Sequence, residues 1–241
     1  MNHPWLLLHG INNTPAIWAP ISAAISCATT TNAPFLPAVA DTDAIAASLW
    51  QTQEQDEPGK CVVLVGHSFG GYIALAMLEQ HPERVGGIVL INSHTRQDSE
   101  AVRLVREQTA NAAENGGYAA LVDAVKERVY HATHVDDPTL NEQRADHAQE
   151  YGPLRFAAHQ RACAKRPDRS QSLKEFPGPK LVLAAEEDLV IATDQQQSMA
   201  YDCGATFQII AKAGHMLPAE QPTGVADAIN AWWQTWTKEP S

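Results

Sequence analysis

Three residues able to share one proton-transfer chain stand in this sequence in the order serine, acid, histidine. Ser68 lies at the centre of Gly66-His67-Ser68-Phe69-Gly70. The apolar run Cys61-Val62-Val63-Leu64-Val65 precedes it, and Gly71-Tyr72-Ile73-Ala74-Leu75-Ala76-Met77-Leu78 follows. That reads as a strand, a glycine-pinched turn and a helix with the serine at the apex. The two glycines let strand and helix approach closely and let the apex residue take a strained conformation. The hydroxyl then projects into open space, and the helix N-terminus behind it favours developing negative charge. The bare pattern G-x-S-x-G is weak, since it arises by chance in roughly one chain in ten of this length as a plain Gly-Ser turn. The strand before it and the helix after it make it informative.

Two further signals agree with it. Trp5-Leu6-Leu7-Leu8 reads as a short buried strand that ends at His9-Gly10, where a turn would aim the N–H of Ile11 at a substrate oxygen. The N–H of Phe69 would be its partner, and two such donors make an oxyanion hole. Towards the C-terminus, the strand 180–185 is followed by Glu186-Glu187-Asp188, and the strand 206–211 by Ala213-Gly214-His215. An acid fixes the tautomer of a histidine, and the histidine takes the serine proton.

At these residues the chain resembles the α/β-hydrolase superfamily. The stretches that carry the resemblance are LLLHG (6–10), LVGHSFGG (64–71), KLVLAAEEDLV (180–190) and AGHMLPAEQP (213–222). With the helices between them they cover nearly the whole chain outside a middle insert. The resemblance implies Ser68 as nucleophile, Asp188 as acid, His215 as base, and Ile11 and Phe69 as the oxyanion-hole residues. It selects Asp188 over Glu186 and Glu187, because the family's acid stands three residues after the small residue at the strand end, here Ala185. His9, Ser93 and Met216 are expected to contact substrate, with His9 also ordering the loop that carries Ile11. Three departures stand out. The chain begins directly at the strand before His9-Gly10, without the family's first hairpin. The arginine- and glycine-bearing loop after the next strand is replaced by Phe35-Leu36-Pro37-Ala38-Val39-Ala40-Asp41, and the usual glycine of the acid loop is Ala185.

The elements that must position these groups alternate. Strands are expected at 5–8, within 27–36, and at 61–65, 85–91, 180–185 and 206–211. Helices are expected at 15–25, 41–53, 69–80, 194–202 and 221–237. Such alternation with near-continuous apolar strands predicts an α/β fold, a mostly parallel doubly wound sheet covered on both faces. Ligands then sit beyond the carboxyl ends of the strands, where Ile11, Ser68, Asn92-Ser93, Asp188 and His215 all fall. The core comprises 1–95 and 171–241. The segment 96–170 reads as a helical cap, with apolar residues at helical spacing (Ala101-Val102 with Leu104-Val105; Leu121-Val122 with Val125 and Val129). Gly116-Gly117, Pro138, Gly152-Pro153 and Pro167 punctuate it. In the last helix, Ile229, Trp232, Trp233 and Trp236 form a core-facing stripe.

Composition bounds the partners. The net charge of −11 argues against nucleic acid and anionic membranes. No apolar run is long enough to span a bilayer, no signal peptide is visible, and four scattered cysteines suit reduced thiols in a cytoplasmic protein. Nine of the ten arginines lie between Arg96 and Ser170. They lace helix faces with ion pairs, or one of them meets a substrate carboxylate. No metal is expected: there is no HExxH, and His131, His134, His147 and His159 read as solvated or capping. Dinucleotide and P-loop motifs are absent. His67 should pack beneath the serine, and His94 lies at the pocket rim.

The reading is a serine hydrolase that cleaves a carboxylic ester of a small molecule through an acyl-enzyme, without a cofactor. The same scaffold handles lactones, thioesters and carbon–carbon bonds, and a ligand receptor with little turnover is the alternative of another class. The oligomeric state is not legible.

Overall fold

The computed structural model describes residues 3–238. Six strands form one sheet: β1 (Trp5–Leu8), β2 (Thr31–Asn32), β3 (Val62–His67), β4 (Val85–Ile91), β5 (Lys180–Ala185) and β6 (Thr206–Ile210). Their order is β2-β1-β3-β4-β5-β6, and every neighbouring pair is parallel. Side chains alternate along each strand, so the sheet feeds two cores. Leu6, Leu8, Leu64, Ile88 and Leu90 face one side, where α2 (Thr42–Asp56) and α3 (Phe69–Gln80) pack. Trp5, Leu7, Val63, Val65, Val89 and Ile91 face the other, against α1 (Ala19–Ala24) and the last helix, α11 (Pro222–Lys238).

Two expectations shift. The strand sought within 27–36 shrinks to Thr31–Asn32 at the sheet edge. In α11, Ile229, Trp232 and Trp233 are buried, and Trp5 meets Trp233 edge-on at 5.3 Å, but Trp236 is 42% exposed. The sheet is covered before the helix reaches that residue.

Between β4 and β5 the chain forms α4 (Glu100–Ala112), a π-helical turn (Ala113–Gly117), α5 (Tyr118–Ala124), α6 (Lys126–Val129), α7 (Pro138–Lys165) and α8 (Ser170–Glu175). The punctuating residues act where expected. Gly116 takes φ 89°, Asp137 caps the start of α7 at Pro138, and Gly152 (φ 74°, ψ 164°) kinks α7 ahead of Pro153. The helical spacing of Ala101-Val102 and Leu104-Val105 gives a helix, α4, whose apolar residues face outward: Val102, Leu104 and Val105 are exposed. Its inner face carries Arg106 instead, which pairs with buried Asp98. Arg166, itself buried, holds the other Asp98 oxygen at 2.7 Å and lies 4.0 Å over the Tyr72 ring. Arg161 pairs with Glu107 and Glu114, and Arg169 with Glu79 of α3 and Asp43 of α2. Ion pairing thus accounts for much of the arginine cluster.

These helices lie against loops at the carboxyl ends of the strands. Arg155 Nε donates to the Leu36 carbonyl and His159 Nε2 to that of Pro37, while the Met216 N–H donates to Val129 O. After β5 come α9 (Thr193–Asp202), then β6 and the short α10 (Leu217–Glu220).

Candidate active site

Ser68 sits between the last residue of β3 and the first of α3, with φ 51° and ψ −114°. That conformation is costly for a residue with a side chain, and tight packing on both sides imposes it. A Cβ added at Gly66 would lie 2.4 Å from the Gly70 carbonyl oxygen, and one at Gly70 would lie 2.0 Å from that of Leu8. Only glycine lets β1, β3 and α3 meet so closely, and the turn is forced to hold Ser68 outward, half-buried.

His215 Nε2 lies 2.9 Å from Ser68 Oγ. Its Nδ1 lies 3.0 Å from each carboxyl oxygen of Asp188. The structure therefore brings Ser68, His215 and Asp188 into one hydrogen-bonded line from loops 147 and 27 residues apart. Glu187 lies elsewhere, 3.3 Å from His131 Nε2, and Glu186 accepts from the Lys212 N–H. Burial acts to raise the Asp188 pKa, but the facing His215 and the N–H groups of Val190 and Ile191 outweigh it, so the carboxyl is held below its ordinary value. Gln196, buried on α9, donates to the other Asp188 oxygen at 3.3 Å. An ionised acid on Nδ1 leaves Nε2 free to accept the serine proton.

The peptides that carry the N–H groups of Ile11 and Phe69 are each held at the carbonyl end. In a trans peptide the C=O and N–H point to opposite sides, so holding one end aims the other. The Gly10–Ile11 peptide is held at its carbonyl by His9. Leu36 N–H donates to His9 Nε2 at 3.1 Å, so Nδ1 carries the hydrogen and donates to Gly10 O at 2.9 Å. The Ser68–Phe69 peptide is held likewise: Ser93 Oγ and the Gly71 N–H each donate to Ser68 O at 2.9 Å. The N–H groups of Ile11 and Phe69 are the opposite ends of these two peptides. Phe69 is the first residue of α3, where helical N–H groups have no partner within the helix.

This arrangement puts His9 and Ser93 behind the loops. Both side chains are fully buried with their donors spent on peptide carbonyls. Met216 is half-buried, with its sulfur 3.8 Å from Asn13 Nδ2. His67, beneath the serine, donates from Nε2 to the carbonyl of His215 at 2.8 Å; burial first, and His215 beside it, lower its pKa to about 3. His94 meets the Tyr72 hydroxyl at 3.1 Å.

The sequence reading did not single out Asn92 for its side chain, nor Glu220 at all. Asn92 Nδ2 donates to the carbonyls of Gly214 and His215, while its Oδ1 accepts from Ala185 N–H, tying β5 to the histidine loop. The Glu220 carboxyl, with no side-chain exposure, accepts from Gly214 N–H at 2.8 Å through Oε1. Its Oε2 accepts from His131 N–H at 2.8 Å and pairs with His134 Nδ1 at 2.9 Å. The only signal for Glu220 was an acid five residues after His215. Among the described residues no three His, Cys, Asp or Glu side chains converge as a metal site. No helix among them is long and apolar enough to cross a membrane. A cleft of about 510 Å³ lies behind the histidine loop, between Ile17, Leu140, His147 and Pro222, and none of Ser68, Asp188 and His215 lines it.

The chain is 26% identical to lipase LipV of Mycobacterium tuberculosis over 70% of its length and 67% of that protein's. It is 26% identical to RutD of Caulobacter segnis, provisionally named a carbamate hydrolase, and spans only 60% of the length of that relative. A thermophilic esterase from Thermogutta terrifontis superposes with a TM-score of 0.91 at 26% identity, over 98% of this chain and 90% of the other. The model of the alpha/beta hydrolase family matches residues 5–228, nearly the whole described chain. With that match and the parallel six-stranded sheet, the chain belongs to the alpha/beta hydrolase family.

Proposed function

We propose that this protein is a serine hydrolase that cleaves a carboxylic ester of a small molecule through Ser68, His215 and Asp188. The observation that carries the reading is the line of contacts from Ser68 Oγ to His215 Nε2 and from His215 Nδ1 to Asp188, at 2.9 and 3.0 Å. His215 takes the Ser68 proton as Oγ attacks the acyl carbon. The oxyanion that forms is held by the N–H groups of Ile11 and Phe69, whose peptides are fixed from behind by His9 and Ser93. Protonated His215 gives its proton to the leaving alcohol, and water activated by the same histidine then frees the acid. Asp188 keeps Nδ1 protonated and stabilises the imidazolium. The named activities of the esterase and lipase relatives support the choice of ester bonds.

The segment 96–170 is the cap of this site. What supports that role is its contact with the loops after β1, β2 and β6. Chemistry of this kind needs no metal or organic cofactor, because both proton transfers and the charge stabilisation come from the chain itself.

The test combines labelling and turnover. A fluorophosphonate should modify Ser68, and Ser68→Ala should lower kcat on an ester panel by about 10⁴–10⁶ with the fold intact. A label on another serine, together with an active Ser68→Ala variant, would overturn the assignment. A burst without turnover on every ester, lactone and carbamate tried would favour a receptor.

A further inference from the structure

The turn that carries Ile11 is held from outside the core. Asn12 follows Ile11 with φ 58°, in the left-handed region that asparagine tolerates better than most residues with a side chain. Its side-chain oxygen lies 2.9 Å from the hydroxyl of Tyr118, the first residue of α5. The same hydroxyl lies 2.8 Å from the carbonyl oxygen of Ala148 on α7, one turn before the Gly152 kink. A phenol carries one hydrogen, so it donates to one of these oxygens at a time. With the hydrogen on Ala148, the Asn12 amide presents its NH₂ and the phenol oxygen accepts. Either way one oxygen joins three pieces of chain: the loop after β1, the start of α5 and the middle of α7. Burial raises the Tyr118 pKa to about 12, so the hydroxyl keeps its hydrogen throughout the working range.

Packing repeats the connection. Ile11 lies against the small cluster of Ala113, Tyr151 and Phe156, which Tyr118 and Leu121 also join, and the Tyr118 and Phe156 rings meet at 5.4 Å. The other side of the site is touched as well: His159 of α7 stacks on Phe69 at 4.4 Å. The inserted helices thus reach both Ile11 and Phe69.

The geometry points to Tyr118 as a positioning residue: its hydroxyl, through Asn12, fixes the turn that presents the Ile11 N–H, so the cap segment sets the oxyanion hole as well as the substrate pocket. This rests on the hydrolase reading above. A hydrogen bond to the oxyanion is strongest in the transition state. Loosening its donor therefore acts on kcat more than on KM.

Tyr118→Phe keeps the ring on Phe156 and removes only the hydroxyl. Asn12→Gly tolerates the positive φ and removes the amide. Each is measured with a p-nitrophenyl ester and with a trifluoromethyl ketone, which forms an oxyanion adduct with the serine. Tyr118→Phe should lower kcat about tenfold, leave KM within twofold and weaken the ketone by the same factor as kcat. Asn12→Gly should do the same, and the double variant should be no worse than either single one. A Tyr118→Phe enzyme with kcat within twofold of the wild type overturns the proposal. So does a loss seen only in melting temperature, or losses that multiply in the double variant. In those cases the wild type still turns over and Ser68 is still labelled, so the hydrolase reading stands. A wild type that neither hydrolyses the ester nor takes the fluorophosphonate at Ser68 overturns both.

Discussion

The Ser93 hydroxyl donates to the carbonyl oxygen of Ser68 at 2.9 Å, and it thereby holds the peptide whose other end is the Phe69 N–H. Ser93→Ala would leave that carbonyl with the Gly71 N–H alone. The loss of one such bond is worth about 1 kcal/mol, so kcat should fall roughly fivefold to tenfold with KM little changed. Steady-state kinetics with one soluble ester decide it. A raised KM at constant kcat would instead make Ser93 a substrate contact, as its position after β4 first suggested.

Glu220 should prove as sensitive as a residue beside the serine. Its two oxygens accept N–H groups from Gly214 and from His131, with His134 on the second oxygen. Glu220→Gln puts an NH₂ where an acceptor is needed and leaves a buried donor unmatched. The cost is about 2–3 kcal/mol, or roughly 4–12 °C in Tm for a chain of this size. The His215 loop loosens with it, so kcat should fall together with Tm. Calorimetry and kinetics on one preparation check both, and an unchanged Tm would show that the carboxyl contributes little.

Acid should destabilise the fold before it protonates the carboxylates. His9, His67 and His159 are buried and neutral, with pKa values lowered by burial to about 3, about 3 and about 4. In the unfolded chain each titrates near 6.5, so the unfolded state binds more protons below that pH. Stability is fully present above about pH 6.5 and falls towards pH 4 by on the order of 1.4 kcal/mol per pH unit for each histidine. The lowered Asp188 pKa adds a further loss of the same sign at lower pH. Denaturant midpoints between pH 7 and pH 4.5 test this. A flat profile would mean that these rings are not buried neutral.

Selectivity should respond to the segment 96–170 at the residues that face Ile11. Leu121→Phe and Phe156→Leu alter the cluster against that residue. They should change relative kcat/KM among esters of different acyl length by about tenfold, the scale of one methylene in an apolar pocket. Val125, at helical spacing with Leu121 but 36% exposed, is the control: Val125→Ala should leave selectivity and Tm alone. Equal selectivity in all three variants, with Tm lowered in the first two, would reduce the segment to a cover for the core.

Much of this was legible because the chemistry is written locally. Gly66-x-Ser68-x-Gly70 specifies its own turn, and His9-Gly10, Asp188 and His215 each follow an apolar strand. The supporting residues were not legible, because their partners are backbone groups far along the chain. Nothing near Asn92 says that its amide bridges Ala185 and His215, nor near Glu220 that it bridges Gly214 and His131. Periodicity identified α4 as a helix but did not say which side turns inward: Val102, Leu104 and Val105 are exposed, and the inner face carries the Arg106–Asp98 pair. Which side of this helix turns inward depends on Asp98, a partner outside the helix that the spacing within it does not reveal.

The strand order has a consequence for how this protein acquires activity. Ser68 follows β3 in the middle of the sheet, whereas His215 follows β6, which among the described residues is an edge strand paired with β5 alone. The tight seat of Ser68 is built by β1, β3 and α3, apart from the strand that precedes the proposed base. Contacts so distant in sequence carry a large loop-closure cost and slow folding. During refolding or synthesis, a partly assembled sheet lacking β6 would hold Ser68 without its proposed base. Hydrolytic activity then becomes a sharp reporter of the docking of the last strand and α11, silent to everything that folds before them.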